Sequence, residues 1–111
     1  LLGEWAEAKR QKSFDLVVSS YVLHEFPDTN KVELITRLAA ETLAPGGSIL
    51  VGDIMFADPA ARAETRMQWQ HVWDDDEHYA AATELLPKLE AQKFDARFEK
   101  VSFCAGVLEV W

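Results

Sequence analysis

Residues 14–54 read FDLVVSSYVLHEFPDTNKVELITRLAAETLAPGGSILVGDI, and this stretch decides the fold. The apolar run at 14–19 is typical of a strand buried on both faces of a parallel sheet, and a second, β-branched run follows at 48–54. Between them, apolar residues recur with the spacing of an amphipathic helix over 29–43, which ends at the APGG of 44–47. Because two parallel strands need such a crossover, the sequence predicts a β-α-β unit.

Two further helical segments are predicted after this unit. Asp58 is placed to cap the first of them, with Pro59 in its first turn, and the helical pattern extends to about Trp73. Another helical stretch covers roughly 77–92, with a break near Thr83 that can cap a new helix.

The two ends of the chain differ in pattern. Residues 2–11 are expected to form a short helix or an irregular lead-in. At the other end, Phe94, Ala96 and Phe98 alternate with polar residues, and an apolar segment follows at 104–111. Two strands separated by so few residues must be antiparallel, so a C-terminal hairpin is predicted.

Composition argues against several classes of protein. The 111 residues include 19 acidic and 11 basic side chains, and a net charge of -8 repels nucleic-acid phosphates. No apolar run approaches the roughly 20 residues needed to cross a bilayer. We therefore expect neither a nucleic-acid nor a membrane partner. The lone Cys104 cannot form an internal disulfide and suits a packing position, so a reducing cytoplasmic location is the simplest expectation.

Three segments together resemble class I S-adenosylmethionine-dependent methyltransferases, and most closely the bacterial enzymes that act on small molecules. The segments are FDLVVSSYVLHEF at 14–26, LAPGGSILVGDI at 43–54 and the closing strand pair. A helix, a glycine turn and a strand occur together in many Rossmann-like proteins, so that motif alone is weak. The combination of all three segments is more specific. The resemblance implies an α/β fold of the Rossmann-like methyltransferase type, with S-adenosylmethionine as cofactor and a small-molecule methyl acceptor.

The chain also departs from that family. The glycine-rich turn after the family's first strand, and the acidic residue that ends its second strand, have no counterpart in residues 1–111. None of the five glycines forms a GxGxG motif. The resemblance therefore implies a partial methyltransferase domain over 1–111, with strands four to seven of the family and without its N-terminal cofactor-binding strands. We expect the fragment alone to be inactive and to bind the cofactor weakly or not at all.

The first candidate site residues follow strand 14–19, because ligands of open parallel sheets bind beyond the C-terminal strand ends. The resemblance places Ser19, Ser20 and Tyr21 beside the methionine end of the cofactor, although two serines can also simply end a strand. His24 follows them. Because imidazole takes up protons near neutral pH, His24 can act as general base toward the methyl acceptor. Alternatively, it packs against the sheet edge.

Candidate acceptor-binding residues are Asp53, Trp69 and Tyr79. Asp53 ends the second strand, where it can orient an acceptor or accept backbone hydrogen bonds. The segment that carries Trp69 and Tyr79 often covers the substrate in the resembling family, and an aromatic lid excludes water. Trp69 and Trp73 are four residues apart, however, so they also suit the core-facing side of one helix.

No metal site is expected. His71 and His78 lack the spacing that would place both on one face of a helix as zinc ligands. The acidic run at 74–77 offers oxygen ligands to a divalent cation, but such runs usually lie in solvent, where they favour the start of a following helix.

Two other functions stay open. The chain can be a non-catalytic, truncated α/β module that acts in assembly, because strand 14–19 without its neighbours has an unpaired edge that invites pairing with another chain. We therefore expect a homo-oligomer through that edge. A different nucleotide-binding Rossmann-like protein, such as half of a dehydrogenase, is the third possibility, and the closing antiparallel hairpin argues against it.

Overall fold

A computed structural model describes residues 14–111. The helix or lead-in expected for 2–11 lies outside them. The elements, in chain order, are β1 (Phe14–Ser20), a 3-10 helix (Leu23–Glu25), α1 (Asp28–Thr42), β2 (Leu43–Phe56), α2 (Pro59–Gln68), β3 (Ala80–Ala81), α3 (Ala82–Ala91), β4 (Ala96–Lys100) and β5 (Ala105–Val110).

The strands form one mixed sheet in the order β1-β2-β5-β4, and the short β3 pairs with the end of β2. β1 is parallel to β2, with Val17 opposite Ile49. β5 is antiparallel to both β2 and β4. The predicted β-α-β unit and the C-terminal hairpin are therefore confirmed, and the hairpin's last strand lies between its partner and the parallel pair.

The core lies between one face of this sheet and the helices α1 and α3. Alternate residues of β2 and β5 point to the same face because side chains alternate along a strand. Each fully buried aliphatic side chain contributes about 1.5–3 kcal/mol relative to exposure, so this cluster is the main stabilising term. Its fully buried members include Ile49, Val51, Met55, Leu108 and Val110 of the sheet, Ile35 of α1, and Leu85 and Leu89 of α3.

The expectation that strand 14–19 is buried on both faces is wrong for the described chain. Leu16 and Val18 are 51% and 65% exposed, whereas Val17 packs against the core. The reason is that α1 and α3 pack against the face that carries Val17. Within residues 14–111, nothing buries the opposite face of β1.

Helix α2 begins as predicted but ends early. The Asp58 carboxylate accepts a hydrogen bond from the amide of Ala61 at 2.8 Å, which is the expected N-cap, and Pro59 follows at the first helical position. The helix stops at Gln68 instead of about Trp73. Beyond Gln68, Trp69 does not continue the helix. Its ring packs against the ring of Phe103, with 5.8 Å between the ring centroids.

The helix predicted over 77–92 is also shorter in the structure. α3 starts at Ala82, with Ala81 as an N-cap that makes no side-chain bond, so Thr83 does not cap it. The amide of Thr83 instead donates to the carbonyl of Ala57 at 3.1 Å. Pro87 lies in the second turn of α3.

Strand β2 begins at Leu43, earlier than predicted, and includes the APGG segment at 44–47. Gly46 has a φ of 80°, a left-handed value that other residues rarely adopt. The ladder with β1 shifts at the same place, between Phe14 and Leu16. The chain therefore passes from α1 into the regular part of β2 through an irregular segment that contains Gly46.

Glycine is required at Gly106, where β5 crosses the ring of Phe98. A Cβ at that position would overlap the ring and lie 3.0 Å from the carbonyl of Glu99. We expect Gly106→Ala to lower the free energy of unfolding by about 1–3 kcal/mol through overpacking. The matched control is Gly52→Ala in the neighbouring strand, where the nearest atom, the Ser20 hydroxyl, is 3.7 Å away. Urea unfolding followed by circular dichroism measures both, and equal effects would contradict the argument.

Candidate functional site

The candidate site lies where β1 ends opposite Gly52 of β2, before β2 itself ends at Phe56. Because the two strands are parallel, Ser19 and Ser20 pair with Val51 and Gly52 at the same edge of the sheet. The amide of Tyr21 extends this ladder by donating to the carbonyl of Gly52 at 2.8 Å. These carboxyl ends of parallel strands are where open α/β sheets bind ligands.

Backbone geometry turns the chain sharply after β1. Tyr21 has a φ of 56°, in the left-handed region that is uncommon for a non-glycine residue. The 3-10 helix follows directly, with the buried Leu23 as its anchor. This turn carries His24 back over the end of β2.

His24 and Asp53 form a hydrogen-bonded pair beside the end of β1. Asp53 lies within β2, which continues to Phe56, so the prediction that Asp53 ends the second strand is wrong. His24 Nδ1 is 2.6 Å from Asp53 Oδ1, and the His24 amide donates to Oδ2 at 3.2 Å. The amide of Ile54 donates to Oδ1 at 2.8 Å. An ionised carboxylate can only accept hydrogen bonds, so Nδ1 is the donor in this bond and Nε2 lies on the other side of the ring.

Both side chains of the His24–Asp53 pair are largely buried. The Asp53 side chain is 1% exposed and that of His24 is 16% exposed. A carboxylate taken out of water is stable only when its oxygens find donors, which the three hydrogen bonds supply. The arrangement is therefore a histidine held in one orientation and one tautomer by a buried acid.

The segment after α2 covers the other side of the histidine ring. Glu77 Oε2 is 3.6 Å from His24 Nε2, and the ring of Tyr79 lies 6.3 Å from the imidazole between centroids. The amide of His78 donates to the carbonyl of His24 at 2.6 Å. A carboxylate thus faces each nitrogen of the ring. The expectation that 74–77 lies in solvent is confirmed for Asp74, Asp75 and Asp76, whereas Glu77 is partly buried beside His24.

Tyr79 lies in an environment that favours its neutral phenol. Burial, followed by the negative charges of Glu77 and Asp74, raises the pKa of Tyr79 above its ordinary value. The phenol therefore stays protonated beyond the usual range and remains a hydrogen-bond donor. Trp73 packs edge-on against it, with 4.7 Å between ring centroids.

A small apolar cavity of about 220 Å³ opens beside these aromatic rings. Trp69 stacks on Phe103 at one side of it, and Trp73 stacks on Phe56 with 5.9 Å between centroids. A more polar cavity of about 460 Å³ shares two of its residues, Trp73 and Tyr79. The lining of the apolar cavity consists of Ile54, Phe56, Thr65, Trp69, Val72, Trp73, Tyr79, Phe103 and Cys104.

The structure brings some of the sequence-predicted residues together and separates others. Asp53 contacts His24 directly, and Tyr79 lies against the same ring. Trp69 is at the aromatic cavity and stacks with His71 at 6.2 Å. The Tyr21 side chain is 61% exposed, next to the β1 end that carries both serines. Their roles toward ligands stay predictions.

The described part of the chain lacks two other kinds of feature. Residues 14–111 hold no group of three or more His, Cys, Asp or Glu side chains arranged as metal ligands. Among the helices of the same residues, none has the length and apolar character to cross a membrane.

Comparison with solved structures shows similarity to methyltransferases. The chain matches the DhpI–SAM–HEP complex with 18% identity and a TM-score of 0.65, over 90% of this chain and 51% of that one. An O-methyltransferase family protein from Burkholderia thailandensis matches with 17% identity and a TM-score of 0.64, over 95% and 32%. Human N-acetylserotonin methyltransferase in complex with SAM matches with 20% identity and a TM-score of 0.61, over 86% and 28%.

These matches concern the fold, and the chain spans about half or less of the length of each protein. No protein-family model matches the sequence. No curated protein matches it either. The agreement in topology and the repeated match to one class of enzyme lead to one conclusion. The chain has the fold of part of a class I S-adenosylmethionine-dependent methyltransferase domain.

Proposed function

We propose that the chain is the C-terminal, acceptor-facing part of a methyltransferase that transfers a methyl group from S-adenosylmethionine to a small molecule. The observation that carries the proposal is the His24–Asp53 pair, with 2.6 Å between Nδ1 and Oδ1, at the carboxyl end of β1 and beside the parallel strand β2. Such an oriented histidine is suited to remove a proton from a nucleophile. Similar folds in complexes with SAM and with SAH support the choice of methyl donor.

His24 acts in this proposal as general base. Its Nε2 accepts the proton of the acceptor's nucleophilic group, which is an O–H or another weak nucleophile. Asp53 keeps the ring in the required tautomer and stabilises the imidazolium that forms. Glu77, 3.6 Å from Nε2, adds a second negative charge beside that cation. Bound S-adenosylmethionine would supply a methyl group already activated on a sulfonium, so that alignment provides most of the remaining rate.

The fit of the chain to S-adenosylmethionine is partial. At the β1 end, the Ser20 hydroxyl lies 3.7 Å from where a Cβ on Gly52 would stand, which is an ordinary van der Waals contact. Because they lie at the carboxyl end of a parallel strand, Ser19, Ser20 and Tyr21 are proposed to contact the methionine end. The sequence holds no GxGxG turn for the rest of the cofactor. We therefore propose a partial domain over 1–111, which needs cofactor-binding strands outside it to be active.

The acceptor is proposed to bind beside the aromatic segment. The apolar cavity of about 220 Å³ suits part of a small molecule. Trp69 and Tyr79 line it, and the protonated Tyr79 phenol is available to orient a polar group of the acceptor. Asp53 is 1% exposed, so its proposed contribution to acceptor orientation passes through His24.

Assembly is a second candidate function, favoured by one specific observation. β1 lies at an edge of the described sheet, and its Leu16 and Val18 side chains are 51% and 65% exposed. An edge strand with exposed apolar residues invites pairing with another chain. A homo-oligomer through residues 14–19 is therefore the alternative proposal.

The first test is mutation of the histidine–aspartate pair in the chain joined to its upstream sequence. We expect His24→Gln to lower kcat about 10²–10⁴-fold, because the proton acceptor is lost. Asp53→Asn should also lower kcat, because it no longer fixes the tautomer. Glu90→Gln, which changes an exposed carboxylate on α3, serves as control. Initial rates of methyl transfer measure the effect, and wild-type kcat in folded His24→Gln contradicts the role of base.

The second test addresses the partial domain. We expect titration calorimetry of residues 1–111 with S-adenosylhomocysteine to show weak or no binding, because the glycine-rich turn is absent. The protein with its upstream sequence should bind the same ligand. Micromolar affinity for residues 1–111 alone would show that the partial-domain proposal is wrong.

The third test addresses assembly. We expect light scattering to show a dimer or larger oligomer of residues 1–111, and Val18→Lys to shift it toward monomer. Val101→Lys is the matched control, because Val101 is 67% exposed in the turn between β4 and β5. A stable, well-folded monomer of the unaltered chain argues against assembly through β1.

A further inference from the structure

Lys31, in the first turn of α1, is an unusual buried cation. Its side chain is 1% exposed. Lysine is almost never fully buried unless its charge is paired, because desolvation of an ammonium ion is unfavourable. Burial is the main cause that lowers the pKa of Lys31, and the carboxylates of Asp28 and Asp53 act in the opposite direction. The buried ammonium group of Lys31 therefore needs hydrogen-bonding partners within the protein.

The partners of Lys31 lie on two different segments of the chain. Its Nζ donates to Asp28 Oδ1 at 3.1 Å, within the same helix turn. It also donates to the backbone carbonyl of His78 at 2.5 Å, which lies far along the sequence. The ammonium group therefore ties the start of α1 to the segment that covers His24.

That segment is also held by other contacts, and it runs directly into β3, which pairs with the last residues of β2. The His78 amide donates to the His24 carbonyl at 2.6 Å, and Arg62 Nη1 donates to the Tyr79 carbonyl at 2.9 Å. The N–H and the C=O of His78 are thus held from opposite sides, by His24 and by Lys31. Glu77 and Tyr79 flank this fixed point, which brings the Glu77 carboxylate and the Tyr79 ring to His24.

We propose that Lys31 is a positioning residue whose ammonium group holds the segment 77–79 against His24 and so shapes the acceptor side of the site. The inference rests on the proposed function, in which His24 is the base. Lys88 offers the natural comparison. Its Nζ is 3.7 Å from Asp28 Oδ2, but its side chain is 50% exposed. Both lysines touch the same carboxylate, whereas the contact to His78 belongs to Lys31.

The first experiment measures position without activity. Amide hydrogen exchange by NMR compares Lys31→Met with the control Lys88→Met in residues 1–111. We expect the His78 amide to exchange at least about tenfold faster in Lys31→Met, because local opening becomes easier. The core amides of Val51 and Leu108 should keep their protection, and Lys88→Met should leave His78 unchanged. Unchanged protection of His78 in folded Lys31→Met overturns the proposal.

If Lys31→Met does not fold, Asp28→Asn takes its place. That variant keeps the ammonium group and removes the carboxylate that anchors it within α1. Faster exchange at His78 with an intact core is again the expected result. Protection of His78 equal to that of the unaltered chain again contradicts the proposal.

The second experiment separates this inference from the proposed function. In the protein joined to its upstream sequence, we expect Lys31→Met to raise KM for the methyl acceptor about tenfold or more, since small misplacements of binding groups have effects of this size. KM for S-adenosylmethionine should stay unchanged, and so should both values in Lys88→Met. If Lys31→Met leaves KM for the acceptor unaltered, the proposal that Lys31 shapes the acceptor side of the site is wrong. Absence of methyl transfer in the unaltered protein contradicts the proposed function, while the exchange result still tests the position of His78.

Discussion

The buried carboxylate of Asp53 is the constraint on which the site depends. Its oxygens need donors because water cannot reach them, and they receive the amides of His24 and Ile54 and the imidazole N–H of His24. These bonds require the end of β1 to lie beside Gly52 and Asp53 of β2, which the parallel register from Leu16 to Ser20 provides. The same bonds that satisfy a buried charge therefore orient the histidine.

Much of the fold could be predicted from the sequence because its signals are local. Apolar strands around an amphipathic helix predicted the parallel pair, and Asp58 with Pro59 predicted the start of α2. The failures have non-local causes. Trp69 leaves the helical pattern because its partner Phe103 is distant in sequence. Leu16 has the composition of a buried strand residue, but its exposure depends on which elements cover that face.

The candidate site could be predicted only in part, for the same reason. Strand ends in a parallel sheet point to Ser19, His24 and Asp53 as neighbours of a ligand. Their pairing was not predictable, because it requires the left-handed turn at Tyr21 and the register of two strands. Lys31 was also beyond sequence reasoning. A lysine in a polar first turn of a helix normally reaches solvent, and its burial follows from the distant carbonyl of His78.

The two candidate functions explain different amounts of the structure. Assembly through β1 accounts for the exposed Leu16 and Val18 but gives no reason for a buried acid paired with histidine. A buried carboxylate is seldom a net source of stability, because the cost of its desolvation offsets the hydrogen bonds that it accepts. The proposed partial methyltransferase domain would account for both observations, since strands outside residues 14–111 would cover the exposed face and the pair would serve proton transfer. The energetic burden of a buried Asp53 therefore favours chemistry over assembly as the reason for this site.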